Sequence, residues 1–168
     1  MKQLKIIFAG GGTGGHLFPA LAIAQKLKQV RKSADISFIG TKKGLEGKII
    51  PDSGFGFHTI WISGISREKN MAWTVLKNLF VPFKLIIATV QSFYYLIRLK
   101  PDAVVGTGGF VAGPPLFAAT LMGIPTLIHE QNSYPGLTTR LLAGRVDKIH
   151  LSYEECLKYL KKKIKSGN

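Results

Sequence analysis

Residues 8–19 read FAGGGTGGHLFP, five glycines in twelve positions with a histidine directly behind them. Glycines at that density let backbone N–H groups approach a ligand closely. A helix start adds a partial positive charge, so the chemistry they suit is holding phosphate or pyrophosphate. His16 stands where loop turns into helix and could take a proton or hydrogen-bond a phosphate; its plainer role is a helix cap. A second glycine stretch, GTGG, occupies 106–109, and a polar row, HEQN, occupies 129–132. Glu130 is the only acid in these three stretches. If the row leaves a buried strand, alternation sends Glu130 and Asn132 to one side and His129 and Gln131 to the other. Four polar side chains there need partners, and local loop hydrogen bonding is the plain alternative to chemistry.

Gly10, Gly12 and Gly15 satisfy G-x-G-x-x-G literally, the turn that binds dinucleotides. That turn also needs an acid at the end of the second strand to hold the ribose hydroxyls. Here the strand ends FIGTKKG, and Asp35 begins it, at the wrong edge. The Lys-Ser/Thr of a P-loop is missing too. The first loop therefore reads as an anion cradle of another kind, with no nicotinamide cofactor. The single cysteine, Cys156, provides no disulfide framework and no cysteine metal cluster, and no D-x-D occurs. No metal and no cofactor are expected.

Strands that run into these loops would bring them together. LKIIFA (4–9) is an apolar run ending at glycines, as a buried parallel strand reads. Helical spacing of Ala20, Ala24 and Leu27 predicts a helix over 17–31, with Pro19 in its first turn. Further strands are expected at 35–40, 57–62, 102–107, 125–132 and 147–153, with helices over 70–99, 111–122 and after the last strand. The alternation predicts an α/β domain, a Rossmann-like parallel sheet with helices on both faces. Ligands of such sheets bind at the carboxyl ends of the strands, where 10–16, 106–115 and 129–136 all fall.

The chain has 168 residues, 46% of them hydrophobic and 19% charged, enough for one domain with a core. With 23 basic and 9 acidic residues its net charge is +14, so an anionic partner is expected. No nucleic-acid motif accompanies the charge, and the basic residues stand among apolar ones, which argues against nucleic acid. The uncharged stretch 85–97 is too short to cross a bilayer.

AGGGTGGHLFPALAIA, GTGGFVAGPP and HEQNSYPGLTTRLLA, in that order and spacing, resemble the MurG family of bacterial transferases; ISGISR and KPDAVVGTGG resemble it too. The resemblance implies the N-terminal half of a GT-B glycosyltransferase, two Rossmann-like domains around a cleft. Residues 1–163 would form the acceptor and membrane domain and 164–168 the start of the interdomain linker, with the donor domain beyond. It implies inverting transfer of N-acetylglucosamine from UDP-N-acetylglucosamine to the 4-hydroxyl of N-acetylmuramic acid in undecaprenyl-linked lipid I, giving lipid II for peptidoglycan. The enzyme would work at the cytoplasmic face of the bacterial plasma membrane, and this half alone would transfer no sugar. An alternative is the acceptor subunit of a two-chain glycosyltransferase.

Carried over by motif, Thr13, Gly14, Gly15 and Asn132 would touch the sugar-nucleotide donor. Gly10, Gly11, Gly12, Gly106, Gly108 and Gly109 would serve the acceptor diphosphate. His16 is the first candidate for the base and Glu130 the second. Phe110 stands where the family usually has tyrosine. In 71–100, Trp73, Leu76, Phe80 and Phe83 recur at helical spacing with Lys77 and Lys84 among them. A lipid acceptor makes that segment a candidate patch for an anionic membrane surface; the plainer role is a core-facing helix.

Overall fold

The apolar run at the start of the chain forms β1 (Lys5–Gly10), the centre of a sheet in which every pairing is parallel. The computed structural model describes residues 3–64, 74, 75 and 78–160. The other strands are β2 (Asp35–Gly40), β3 (Gly56–Thr59), β4 (Ala103–Gly108), β5 (Thr126–Glu130) and β6 (Lys148–Leu151), in the order β3-β2-β1-β4-β5-β6. The helices are α1 (Gly14–Val30), α2 (Glu46–Asp52), α3 (Val81–Leu99), α4 (Gly113–Leu121), α5 (Leu137–Leu142) and α6 (Leu157–Leu160). This is the Rossmann-like α/β architecture expected from the alternation, and its strand order reverses between β1 and β4.

The two faces of β1 build separate cores, because side chains alternate along a strand. Ile6 and Phe8 pack with Ile36 and Phe38 of β2 under Leu17, Ala20 and Ala24 of α1. Ile7 and Ala9 pack with Val104 and Ile128 under Leu96 of α3 and Leu116 of α4. At the amino edge, Asp102 accepts from the Lys5 amide at 2.8 Å, and Asp147 accepts from the Thr126 amide and hydroxyl, also at 2.8 Å. These side chains cap strand starts whose backbone would otherwise lack partners.

Several boundaries differ from expectation. Helix α1 starts at Gly14, so Pro19 sits inside the helix and leaves the Gly15 carbonyl without its usual helical donor. The third strand ends at Thr59, although the Ile60 amide still reaches the Gly40 carbonyl at 2.9 Å. Helices α2 and α5 were not anticipated. Pro51 and Gly47 lie inside α2, where propensity argues against a helix. Of the expected 70–99 helix, residues 81–99 form α3, while 70–73, 76 and 77 lie outside the described residues. The expected domain end at 163 and linker 164–168 also fall outside them.

Leu116 is fully buried, and a side chain on Gly106 would run into it. Leu116→Ala should therefore cost about 2–5 kcal/mol of unfolding free energy, read from denaturant midpoints. A loss under about 1 kcal/mol would mean that α4 does not rest on β4 in this register.

Candidate active site at the carboxyl edge

The loops after β1, β4 and β5 meet at the carboxyl edge, across the point where strand order reverses. Gly10 pairs with Gly108. The Thr107 hydroxyl donates to the His16 carbonyl at 2.7 Å, and the Thr138 hydroxyl donates to the Gly109 carbonyl at 2.8 Å. Gly108 and Gly109 have φ of 98° and 76°, conformations that favour glycine. A side chain on Gly108 would come within 2.7 Å of the His16 ring, and one on Gly109 would strike the Gly11 carbonyl. The second glycine stretch is thus the floor on which the imidazole lies.

His16 is half-buried. Its Nδ1 lies 3.0 Å from the Thr107 carbonyl oxygen and 2.8 Å from the side-chain amide of Gln131. The geometry joins the first turn of α1, the end of β4 and the loop after β5, and Nε2 makes no hydrogen bond among the described residues. Sequence reasoning chose His16 but gave neither Thr107 nor Gln131 a role.

The first loop is held from below by Glu46, which sequence reasoning missed. Its carboxylate is 1% exposed. Oε1 accepts from the Thr41 amide at 3.0 Å and hydroxyl at 2.6 Å, and Oε2 accepts from the Gly12 amide at 3.0 Å. A Cβ on Gly11 would lie 2.5 Å from this carboxyl group, so that glycine makes room for the protein's own anion. The Gly12 amide is likewise spent inward. Burial works against the charge, but the hydrogen bonds from Thr41 and Gly12 outweigh it and hold the Glu46 carboxyl below its usual range.

The N–H groups left to face a ligand are those of the α1 start. Thr13 caps that helix in an extended conformation without a side-chain hydrogen bond, and Thr13 and Gly15 are exposed. No acid occupies the first turn. The helix start and its partial charge are therefore open to an anion. Gly10 and Gly106 are strand residues, Gly106 pairing with Ile128 inside the sheet.

Glu130, the second candidate base, is 1% exposed. Its Oε1 accepts from the Asn132 amide at 3.2 Å and side chain at 2.8 Å. Its Oε2 accepts from the Gly136 amide at 3.0 Å and the Thr139 hydroxyl at 2.6 Å. These bonds close the 130–136 loop and fix Asn132, which remains exposed. Phe110 lies between the loops: a Cβ on Gly12 would come within 2.8 Å of its ring and one on Gly64 within 2.9 Å.

Of the expected membrane patch, Phe80 and Phe83 are 53% and 57% exposed at the start of α3. Lys84 turns back, with Nζ 3.0 Å from the Ser63 hydroxyl and 5.6 Å from the Trp61 ring centre. Trp73, Leu76 and Lys77 lie outside the described residues. No helix among the described residues is long and apolar enough to cross a membrane.

A model of the glycosyltransferase family 28 N-terminal domain matches residues 6–151. The UDP-N-acetylglucosamine--N-acetylmuramyl-(pentapeptide) pyrophosphoryl-undecaprenol N-acetylglucosamine transferase of Carboxydothermus hydrogenoformans is 47% identical over 160 residues, 95% of this chain and 42% of the relative. The protein of the same description from Thermoanaerobacter sp. is 46% identical over 162 residues, 96% of this chain and 43% of the relative. The chain thus spans less than half the length of these curated relatives. Among solved structures, MurG of Acinetobacter baumannii superposes with a TM-score of 0.74 at 35% identity, over 91% of this chain and 42% of that one. The Streptomyces glycosyltransferase SsfS6, 14% identical with a TM-score of 0.54 over 76% of this chain and 39% of its own, shares the fold alone.

Glu46→Gln keeps the shape but sets an NH2 group against the Gly12 or Thr41 amide. The loss should be about 1–3 kcal/mol at neutral pH. Because the folded-state carboxyl titrates below its unfolded value, its contribution is complete above the usual carboxylate range and fades as pH falls through the lowered value. Stability curves of the two proteins should therefore converge toward acid. A gap that stays constant from neutral pH to acid would remove the charge from the account.

Proposed function

This chain belongs to glycosyltransferase family 28 through that family's N-terminal domain, and from that premise we propose that it is the acceptor half of an inverting N-acetylglucosaminyl transferase. The donor is UDP-N-acetylglucosamine and the acceptor is the undecaprenyl-linked N-acetylmuramyl-pentapeptide diphosphate, lipid I, as the relatives' description reads. The product is lipid II for peptidoglycan. Residues 1–163 serve as the acceptor domain, 164–168 open the linker, and a further domain of the intact protein supplies most of the donor site.

The observation that carries this reading is the placement of His16. Its imidazole lies where three loops converge, with Nδ1 against the Thr107 carbonyl. A carbonyl only accepts, so Nδ1 carries the hydrogen and Nε2 keeps its lone pair. The acceptor's 4-hydroxyl attacks the anomeric carbon, the bond to UDP breaks on the opposite face, and Nε2 takes the hydroxyl proton. The linkage inverts from α to β. His16 is preferred to Glu130 because both Glu130 oxygens are already bonded beneath the surface. Glu130 instead holds Asn132 toward the donor. The exposed start of α1 at Thr13, Gly14 and Gly15 and the Gly108–Gly109 turn are offered to phosphate oxygens.

The acceptor is a lipid, so the site works at a membrane surface. Leu79, Phe83, Ile86, Val90, Tyr94 and Ile97 form an exposed apolar stripe along and just before α3. With a net charge of +14, such a stripe suits in-plane contact with the anionic cytoplasmic face of the plasma membrane.

His16→Ala in the intact enzyme should lower kcat by roughly 10²–10⁴-fold in lipid II formation. A change below about fivefold would remove His16 from the chemistry. For the membrane, Phe80→Ser with Phe83→Ser should weaken binding to vesicles containing anionic lipid while leaving the thermal melt in place, since both rings are exposed. Unchanged binding would put the contact elsewhere.

A further inference from the structure

We propose that Gln131 is a positioning residue that fixes which ring nitrogen of His16 carries the proton. This rests on the reading of His16 as base given above.

Nδ1 of His16 faces two groups, the Thr107 carbonyl oxygen at 3.0 Å and the Gln131 side-chain amide at 2.8 Å. Against a carbonyl, a bare Nδ1 would oppose two lone pairs, so Nδ1 must be the protonated nitrogen. The second group must then be an acceptor as well. With the Gln131 Nε2 turned to His16, an N–H would oppose an N–H. The same orientation leaves Gln131 Oε1 buried without a partner. Such an orphan is uncommon and asks for a cause. Oxygen and nitrogen of an amide have nearly the same shape, so the hydrogen-bond network assigns them. Half a turn of the amide ends the N–H opposition and gives Oε1 a donor: Oε1 comes to Nδ1–H, which is then shared between two carbonyl oxygens, and the NH2 group moves to the buried position Oε1 held.

The consequence is chemical. A histidine ring free in water favours the Nε2–H form, in which Nε2 cannot accept a proton. Two oxygens on Nδ1–H reverse that preference and leave Nε2 bare toward the acceptor hydroxyl. When Nε2 takes the proton, both oxygens already face the positive ring, so no reorganisation is needed. The pair does what a carboxylate does for histidine in other transferases and hydrolases, using neutral dipoles instead. Gln131 comes from the third loop and His16 from the first, so the arrangement also makes the tautomer depend on how the β5 loop closes around Glu130.

The test is nitrogen NMR of the intact protein with ring-labelled histidine, the His16 signals identified by their loss in His16→Gln. The expected wild-type spectrum shows Nδ1 protonated and Nε2 bare. Gln131→Leu, similar in size but without an acceptor, should raise the Nε2–H population and lower kcat roughly 10–100-fold with KM nearly unchanged. Gln131→Glu restores an acceptor and should recover the wild-type tautomer. Thermal melts of both variants show whether each is folded, and Gln131→Glu carries the test if Gln131→Leu is not. A wild-type His16 in the Nε2–H form, a Gln131→Leu spectrum like wild type, or a Gln131→Glu spectrum without the Nδ1–H form would overturn the proposal. Failure of the base reading is separate: it appears as activity retained in His16→Ala, whatever the tautomer.

Discussion

Two carboxylates buried beneath the carboxyl edge govern its shape. Glu46 and Glu130 are each 1% exposed, and each is satisfied by backbone N–H and hydroxyl donors drawn from the loop above it. A buried charge left unpaired would cost several kcal/mol, on the order of the whole stability of a small domain. The loops are therefore not free to choose other conformations. Glu46 pins Gly12 and Thr41, and Glu130 pins Asn132 and the start of α5. Between them the Thr107 hydroxyl ties α1 to β4. The surface of this edge is largely backbone, and these three polar anchors set it.

The same anchors change what the glycines mean. A glycine-rich loop reads as a cradle for a foreign anion, and part of this one cradles the protein's own. Gly11 clears space for the Glu46 carboxylate, and the Gly12 N–H bonds to it. A carboxylate behind the loop would repel a phosphate in front of it, so within this loop the N–H groups suited to an anion are those of the helix start at Gly14 and Gly15, on the other side of the turn. The division of labour is local. One half of the glycine stretch gives shape, and the other half presents N–H groups.

Most of the sheet was legible, because β1, β2, β4 and β5 are short apolar runs ending at glycine or polar residues, and such runs have few alternatives in an α/β chain. Strand β2 matched its expected span, 35–40, residue for residue. Helix α2 was illegible since Gly47 and Pro51 oppose helix locally; it is held by tertiary contacts, Ile50 in the core and Glu46 under the loop. That is also why Glu46 went unseen: a residue in an unrecognised helix has no predicted direction. Glu130 shows the complementary failure. Its position at a strand end was clear, but the strand stops at Glu130, so its bond to Asn132 is a loop contact and not strand alternation, and sequence could not tell that Thr139 and Gly136 lay within reach. Roles that depend on a partner far along the chain, such as Thr107 and Gln131 for His16, carry no local signal.

The topology also fixes where the start of α3 lies relative to the glycine loops. In a parallel crossover the helix begins at the carboxyl edge, so the start of α3 sits beside the loops and not across the domain from them. A chain of contacts follows this geometry: Lys84 reaches Ser63 and the Trp61 ring, the next residue Gly64 meets Phe110, and Phe110 covers Gly12. Phe80 and Phe83 are exposed at the outer end of that chain. On the membrane reading proposed above, an acceptor with its lipid tail in the bilayer needs to cross only the width of these side chains to bring its diphosphate to the glycine loops. A binding patch at the far end of α3 would require the acceptor to leave the membrane by the helix's length, roughly 28 Å at 1.5 Å per residue. The exposed phenylalanines at the near end remove that requirement.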